Sequence, residues 1–135
     1  LERDEANRWT KTLSVRCAGV EQRVVELSGG NQQKVVIAKW LFRDCDTLIF
    51  DEPTRGIDVG AKFEIYQLLS RLAAQGKAIV VVSSDLKELL GLCDRIAVMS
   101  AGRLAATFRR GAWSQDQIMA AALSGYLRPG PTGLS

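Results

Sequence analysis

The sequence LSGGNQQK at residues 27–34, followed by TLIFDEPT at residues 47–54, is the part of this chain that says most about its fold. The first stretch is a glycine turn running into a helix. Ser28 is the predicted N-cap, with its hydroxyl accepting from a backbone N–H of the first helical turn. The second stretch is a short strand, apolar on both faces as in a buried parallel sheet, and it ends in two carboxylates. A helix and a buried strand in this order indicate an α/β protein.

Helices and strands alternate along the rest of the chain. Residues 3–13 have a helical composition, and the helix after Ser28 carries a broad apolar stripe made of Val35, Val36, Ala38, Lys39, Leu41 and Phe42. The sequence then predicts an amphipathic helix over 61–75 ended by Gly76, a buried strand over 78–82, a helix over 85–90, a hairpin of strands over 95–99 and 103–108, and a helix that Ser114 opens as a capping box. The predicted fold is α/β, with a mostly parallel sheet, flanking helices and an antiparallel edge.

Composition and charge exclude several classes of function. The net charge is +3, and the basic residues Lys34, Lys39 and Arg43 are scattered on one helix, so the sequence does not favour nucleic-acid binding. The chain has no histidine and three widely spaced cysteines, which disfavours zinc sites and histidine-dependent catalysis. Cys45 and Cys93 border apolar runs and are interpreted as small buried thiols. No apolar run approaches the length of a membrane span.

The glycine turn has the chemistry of an anion site. Ser28, Gly29 and Gly30 precede a helix, where free backbone N–H groups and the positive end of the helix dipole favour a phosphate. Glycine lets a phosphate approach the backbone closely. A serine-capped turn without any ligand is the simpler interpretation of these three residues taken alone.

Asp51 and Glu52 stand where open α/β sheets bind their ligands, at the carboxyl end of a buried strand. There, Asp51 could hold Mg²⁺ and Glu52 could orient or deprotonate an attacking water. Successive side chains of a strand point to opposite faces, so both acids serve one site only if the strand ends near Asp51. Pro53 favours such an ending, although an acidic turn after a core strand is an equal alternative for this pair alone.

Taken together, these motifs resemble a known family. The sequence reads LSGGNQQKVVIAKWL at 27–41, LIFDEPTRGIDVGAK at 48–62 and VVVSSDLKELLGLCDRIAVMSAGRL at 80–104. Over residues 21–124 it is similar to the ABC importer ATPases, and within them to the second ATPase domain of tandem sugar importers of the ribose, galactose and xylose types. The resemblance implies a P-loop NTPase-like fold, with a signature motif at residues 27–34 and a Walker B strand at 47–52.

This resemblance also implies roles for individual residues. In such proteins two ATPase domains enclose ATP head to tail. The γ-phosphate held by the other domain would then be contacted by Ser28, Gly29, Gly30, Asn31 and Gln32. For this domain's own ATP, Asp51 would serve Mg²⁺ and Glu52 would be the catalytic carboxylate. Asp58 matches the D-loop aspartate at the interface, and Ser84 occupies the position of the switch histidine.

Two departures from the family pattern weaken a simple enzymatic interpretation. The sequence has no G-x-x-x-x-G-K-S/T phosphate loop, so it corresponds to a cassette without its Walker A half. Ser84 cannot carry a positive charge beside a phosphate, as a histidine can. We therefore expect the parent protein to be an ATPase, the 135-residue chain alone to be inactive, and this domain's own site to hydrolyse ATP poorly.

The function that the resemblance implies is to energise carbohydrate import at the cytoplasmic face of a bacterial-type cell membrane. Its implied partners are a second ATPase domain, transmembrane permease subunits and, indirectly, a sugar-binding protein. Residues 1–124 would form the C-terminal portion of the nucleotide-binding domain, and 125–135 a loose tail. One alternative is a non-catalytic module that completes a partner's ATP site. Another is an ABC-type ATPase of DNA repair, chromosome organisation or translation, whose heptad or basic extensions this sequence lacks.

Overall fold

The computed structural model describes residues 2–127, and the chain divides between Ser84 and Asp85 into two compact units. The first unit contains α1 (Glu2–Thr12), a 3₁₀ turn (Val24–Glu26), α2 (Gly29–Leu41), β1 (Thr47–Asp51), α3 (Val59–Ala74) and β2 (Ala78–Val82). The second contains α4 (Leu86–Leu92), β3 (Arg95–Ser100), β4 (Arg103–Arg109) and α5 (Gln115–Leu123). Every predicted helix and strand is present, and the α/β class is confirmed.

The core of the first unit is built from α2, β1 and α3. Strands β1 and β2 pair in parallel, from Thr47 opposite Ala78 to Asp51 opposite Val82. The amphipathic pattern of α3 is confirmed, since its buried residues are Ile65, Leu68, Leu69 and Leu72. Each such side chain, fully buried, stabilises the fold by about 1.5–3 kcal/mol. The helix ends as predicted, with Gly76 in the left-handed region at φ 90°.

The burial predicted for two elements was wrong. Strand β1 buries Leu48 and Phe50 but leaves Ile49 71 % exposed, and β2 has no fully buried residue. The reason is that only one face of this two-stranded sheet is covered by the rest of the unit. In α2 the buried residues are Gly30, Lys34, Ile37 and Leu41, whereas Val36 and Phe42 of the predicted stripe are exposed. The four buried positions follow the helical spacing of four, three and four residues, so a lysine lies on the inner face.

The second unit is an antiparallel hairpin covered by α5. Ala101 and Gly102 form its two-residue turn with φ of 48° and 76°, the backbone that a type I′ turn requires. Ile96 and Val98 of β3 are buried with Ile118 of α5. The predicted capping box is confirmed: the Ser114 hydroxyl accepts from the Gln117 N–H, and the Gln117 side chain accepts from the Ser114 N–H.

Strand pairing differs from the prediction in one respect. Among residues 2–127 the strands form two separate two-stranded sheets, β1 with β2 and β3 with β4, rather than one sheet with an antiparallel edge. Local sequence pattern identifies a strand but not its partner, and only the hairpin has its partner fixed by a short turn. Of the predicted tail, residues 128–135 lie outside the described part, and the Gly125 N–H donates to the Ser100 hydroxyl at 3.0 Å.

Candidate functional site

The glycine turn leads directly into α2, and Ser28 is its N-cap with an extended backbone. The predicted capping bond was wrong, however, because the Ser28 hydroxyl caps no backbone N–H. Its oxygen instead accepts from the Asn31 side-chain amide at 2.9 Å, and the Asn31 carbonyl oxygen accepts from the Arg16 backbone N–H at 2.9 Å. The next side chain, Gln32, donates back to the Leu27 carbonyl at 2.8 Å.

The two glycines of the turn have different surroundings. A Cβ added at Gly29 would meet nothing within 4 Å, so this position faces open space. A Cβ added at Gly30 would lie 2.5 Å from Cβ of Ala61 on α3. Gly29 therefore leaves room for a ligand, whereas Gly30 is required for the close approach of α2 and α3.

A buried lysine ties the glycine-turn helix to its neighbours. Lys34 is 3 % exposed and donates to Glu64 Oε2 on α3 at 2.6 Å and to the Ser14 carbonyl at 3.0 Å. Arg16 donates to the other oxygen of Glu64 at 3.1 Å. The hydrogen bond and positive charge of Lys34 lower the pKa of Glu64 below its ordinary 4.5. The segment 14–16, α2 and α3 are thus joined around one carboxylate.

Because of this cluster, the free energy of unfolding should depend on pH in the acidic range. Because the pKa of Glu64 is lowered in the folded protein, the unfolded chain binds the proton more readily as the pH falls. The stabilisation is therefore complete above about pH 4.5 and is lost as the pH falls through the folded pKa. Glu64→Gln should remove this dependence and lower the free energy of unfolding by about 1 kcal/mol at neutral pH, a modest effect because the side chain is 38 % exposed.

Urea unfolding of the complete protein between about pH 6 and pH 3 checks this, with hydrogen–deuterium exchange of α2 and α3 as the local readout. The matched control is Glu21→Gln, which removes a carboxylate whose ion pair with Arg3 is mostly exposed. If wild type and Glu64→Gln lose stability with the same pH dependence, the Lys34–Glu64 pair does not have the role assigned to it.

The two predicted acids stand at the carboxyl end of β1. Asp51 is its last residue, so the strand ends at the position that a single site for both carboxylates requires. Glu52 has a left-handed backbone at φ 47°, which is uncommon for a residue other than glycine. Its N–H donates to the Val82 carbonyl at 2.8 Å, continuing the β1–β2 pairing by one step. Pro53, which follows, is fully buried.

Glu52 and Ser84 lie together in the structure. The Ser84 backbone N–H donates to Glu52 Oε1 at 2.9 Å. The contact is made by the main chain, so it does not depend on the side chain at position 84. Asp58 is placed differently: it is the N-cap of α3, and its carboxylate accepts from the Ala61 N–H at 3.0 Å.

Known proteins with similar sequences are ATP-binding proteins of ABC transporters. The ABC transporter family matches residues 2–55 of the chain. A ribose import ATP-binding protein (RbsA 1) of Streptomyces avermitilis is 56 % identical over 123 residues, which are 91 % of this chain and 24 % of that protein. A ribose/galactose/methyl galactoside import ATP-binding protein of Agrobacterium fabrum is 52 % identical over 125 residues, 93 % of this chain and 25 % of its own length. The chain belongs to the ABC transporter ATPases. It spans about a quarter of the length of these curated relatives.

Solved ABC ATPase cassettes have the same fold. A nucleotide-free ATP-binding cassette from an ABC transporter aligns with a TM-score of 0.74 at 23 % identity, over 90 % of this chain and 46 % of the cassette. A bacterial ABC transporter cassette solved as a dimer aligns with a TM-score of 0.68 at 25 % identity, over 82 % of this chain and 47 % of the cassette. The predicted P-loop NTPase-like fold of an ABC ATPase is therefore confirmed.

Within this family fold, all the predicted site residues except Asp58, the N-cap of α3, belong to two groups. The signature residues 28–32 form the start of α2, and Asp51, Glu52 and Ser84 lie at the carboxyl ends of β1 and β2. Lys34 and Glu64, which support the signature helix, were missed. Helical spacing places Lys34 on the face of Gly30 and Ile37, four residues after one and three before the other, but it does not indicate the distant partners Ser14 and Glu64.

Further features of residues 2–127 concern membrane-spanning helices, metal-binding clusters and cysteines. No helix there is long and apolar enough to cross a membrane, and no cluster of three or more His, Cys, Asp and Glu side chains could hold a metal ion by itself. Cys45 and Cys93 are partly exposed rather than buried as predicted. Burial nevertheless raises the pKa of Cys93, which keeps it a thiol.

Proposed function

We propose that this chain is part of an ATPase domain that energises carbohydrate import. One observation carries the proposal: a signature turn that opens α2 and an Asp-Glu pair that ends β1 occur in a chain 56 % identical, over 91 % of its length, to a ribose import ATP-binding protein. In this proposal residues 1–124 form the C-terminal portion of a nucleotide-binding domain. The exposed face of β1 and β2, with Ile49, Val80 and Val82, supports a larger domain that covers it.

The signature would act on ATP held by a second ATPase domain. The Gln32 N–H makes the first intrahelical bond of α2, to the Ser28 carbonyl, so the N–H groups of Gly29, Gly30 and Asn31 precede the helical ladder. These groups and the Ser28 hydroxyl are donors suited to a γ-phosphate, and the open space at Gly29 lets an anion approach. Gln32 would contribute beside them, and Asp58 at the interface between domains.

The acidic pair would serve this domain's own ATP. The Asp51 carboxylate is exposed at the carboxyl end of β1 and has the hard oxygen donors that Mg²⁺ prefers. When bound, Mg²⁺ neutralises phosphate charge. Glu52 would orient and deprotonate the attacking water, and the Ser84 N–H would hold one of its two carboxylate oxygens. The grip on the phosphates would come from a phosphate loop outside these 135 residues.

The partners in this proposal follow from the same function. They are the second ATPase domain, transmembrane permease subunits that closure of the domains would move, and indirectly a sugar-binding protein. The proposed location is the cytoplasmic face of the membrane. The named ribose and galactose relatives support a sugar as cargo.

A second candidate function is favoured by position 84. A serine hydroxyl cannot bring positive charge to a γ-phosphate, and the hydrogen bond from Ser84 to Glu52 is made by the main-chain N–H. The chain would then be a non-catalytic module that completes the partner's ATP site through Ser28, Gly29 and Gly30. The two functions are compatible in the complete protein: ATP hydrolysis at this domain's own site would be slow, and hydrolysis at the partner's site, completed by this chain, would be fast enough to energise import.

Ser84→His tests this division of labour. In the complete protein with its permease and loaded sugar-binding protein, hydrolysis at this domain's site should rise roughly tenfold, about 1.4 kcal/mol of transition-state stabilisation. Adding Glu52→Gln should abolish the gain, because the glutamine cannot act as a base. The matched control is Ser83→His. A fast rate from this site with Ser84 in place would contradict the slow-site hypothesis, and no stimulation by the permease and sugar-binding protein would contradict the transport function.

A further inference from the structure

The Asn31 side chain makes two hydrogen bonds in opposite directions. Its carbonyl oxygen accepts from the Arg16 backbone N–H, and its amide nitrogen donates to the Ser28 hydroxyl oxygen, both at 2.9 Å. The main-chain N–H of Arg16 can only donate, so it requires the oxygen of the amide on its side. The amide is therefore fixed with its nitrogen toward Ser28.

This orientation decides the direction of the Ser28 proton. A hydroxyl has one donor and two acceptor positions. Because Ser28 accepts from Asn31, its own proton points away from that bond and is free to be donated. An asparagine turned the other way would present its oxygen and take the Ser28 proton for itself.

The segment that supplies the Arg16 N–H is held at both ends. The Ser14 carbonyl accepts from the buried Lys34 amine at 3.0 Å, and the Arg16 guanidinium donates to Glu64 of α3 at 3.1 Å. Lys34 and Glu64 also bond to each other at 2.6 Å. The donor that fixes Asn31 is thus part of a frame anchored in α2 and α3, rather than a freely moving loop.

We propose that Asn31 is a positioning residue, whose amide, fixed by the Arg16 main chain, keeps the Ser28 hydroxyl oriented as a donor. This inference rests on the proposed function, in which Ser28 donates to a γ-phosphate. It replaces a direct contact of the Asn31 side chain with phosphate by an action through Ser28, while the Asn31 main-chain N–H keeps the role proposed for it above. Lys34 and Glu64 support the same orientation at a distance.

A double-mutant cycle on the complete, assembled protein tests it. Ser28→Ala and Asn31→Ala should each lower kcat for ATP hydrolysis, by about 100-fold and about 10-fold, with little change in KM. The double variant should match Ser28→Ala, because Asn31 has nothing left to orient. Lys39→Ala, on an exposed part of the same helix, is the control, and thermal unfolding should be similar for all the variants.

Asn31→Asp gives a second readout. The carboxylate can still accept from the Arg16 N–H but can no longer donate to Ser28, so kcat should fall at least as far as in Asn31→Ala while the fold is retained. Wild-type kcat in either Asn31 variant would overturn the inference. Multiplicative effects in the cycle would also overturn it, since Asn31 would then act independently, yet would leave the proposed function intact. Wild-type kcat in Ser28→Ala would instead overturn the signature role itself, and the inference with it.

Discussion

Gly29→Asp is expected to reduce ATP hydrolysis at the site formed by this signature by about 100-fold or more while leaving the fold unchanged. A side chain at position 29 enters open space, since an added Cβ meets nothing within 4 Å. An acidic residue in the first turn of a helix is favourable toward the helix dipole. The introduced carboxylate would, however, occupy the approach of a γ-phosphate and repel it. The variant thus separates the function of the turn from its stability.

The measurement is steady-state ATP hydrolysis by the complete protein, together with thermal unfolding of the same samples. Gly29→Ala is the matched control, because it adds a methyl group in the same open space without charge. It should keep activity within a few-fold of wild type. If Gly29→Asp hydrolyses ATP at the wild-type rate, no anion approaches α2 at Gly29, and the proposed role of the signature is wrong.

Gly30→Ala is expected to have the largest effect on stability. The new methyl group would lie 2.5 Å from the Ala61 Cβ, a separation that forces α2 and α3 apart. Overpacking of this kind costs about 1–3 kcal/mol and should lower the Tm of the unit by roughly 5 °C. Because α2 carries Ser28 and Asn31, the shift should also lower ATP hydrolysis.

Ala61→Gly supplies the test of this cause. In Gly30→Ala with Ala61→Gly the colliding methyl group is gone, so most of the lost Tm should return, apart from the intrinsic penalty of about 1 kcal/mol for glycine within α3. Gly29→Ala, one residue earlier, should leave Tm near that of wild type. Equal losses in Gly30→Ala and in the double variant would show that the contact with Ala61 is not the cause.

Features set by neighbouring residues were predicted well from the sequence. The capping box of Ser114 and Gln117, the left-handed Gly76 after α3 and the hairpin turn each depend on a few adjacent residues. The amphipathic face of α3 and the end of β1 at Asp51 also depend on the local sequence. The family resemblance then supplied the fold, together with proposed roles for residues that no local pattern could assign.

Features set by distant contacts were not predictable in the same way. The Ser28 hydroxyl bonds to Asn31 because the Arg16 N–H fixes that amide from fifteen residues away. Lys34 is buried because Ser14 and Glu64 accept from it, and Gly30 is required because Ala61 approaches from another helix. The burial of β1 and β2 was overestimated because it depends on what covers each face of the sheet. Burial and hydrogen bonding at the signature therefore reflect its tertiary surroundings more than its own sequence.

In the proposed function, the turn at residues 28–30 contacts the terminal phosphate of ATP. Vanadate trapped with ADP occupies the place of that phosphate and, on irradiation, cleaves the backbone at the residues that touch it. With the complete protein and Mg-ATP, we expect cleavage at Ser28, lost in Gly29→Asp and retained in Gly29→Ala. Efficient trapping with cleavage elsewhere, and none at residues 28–30, would contradict it.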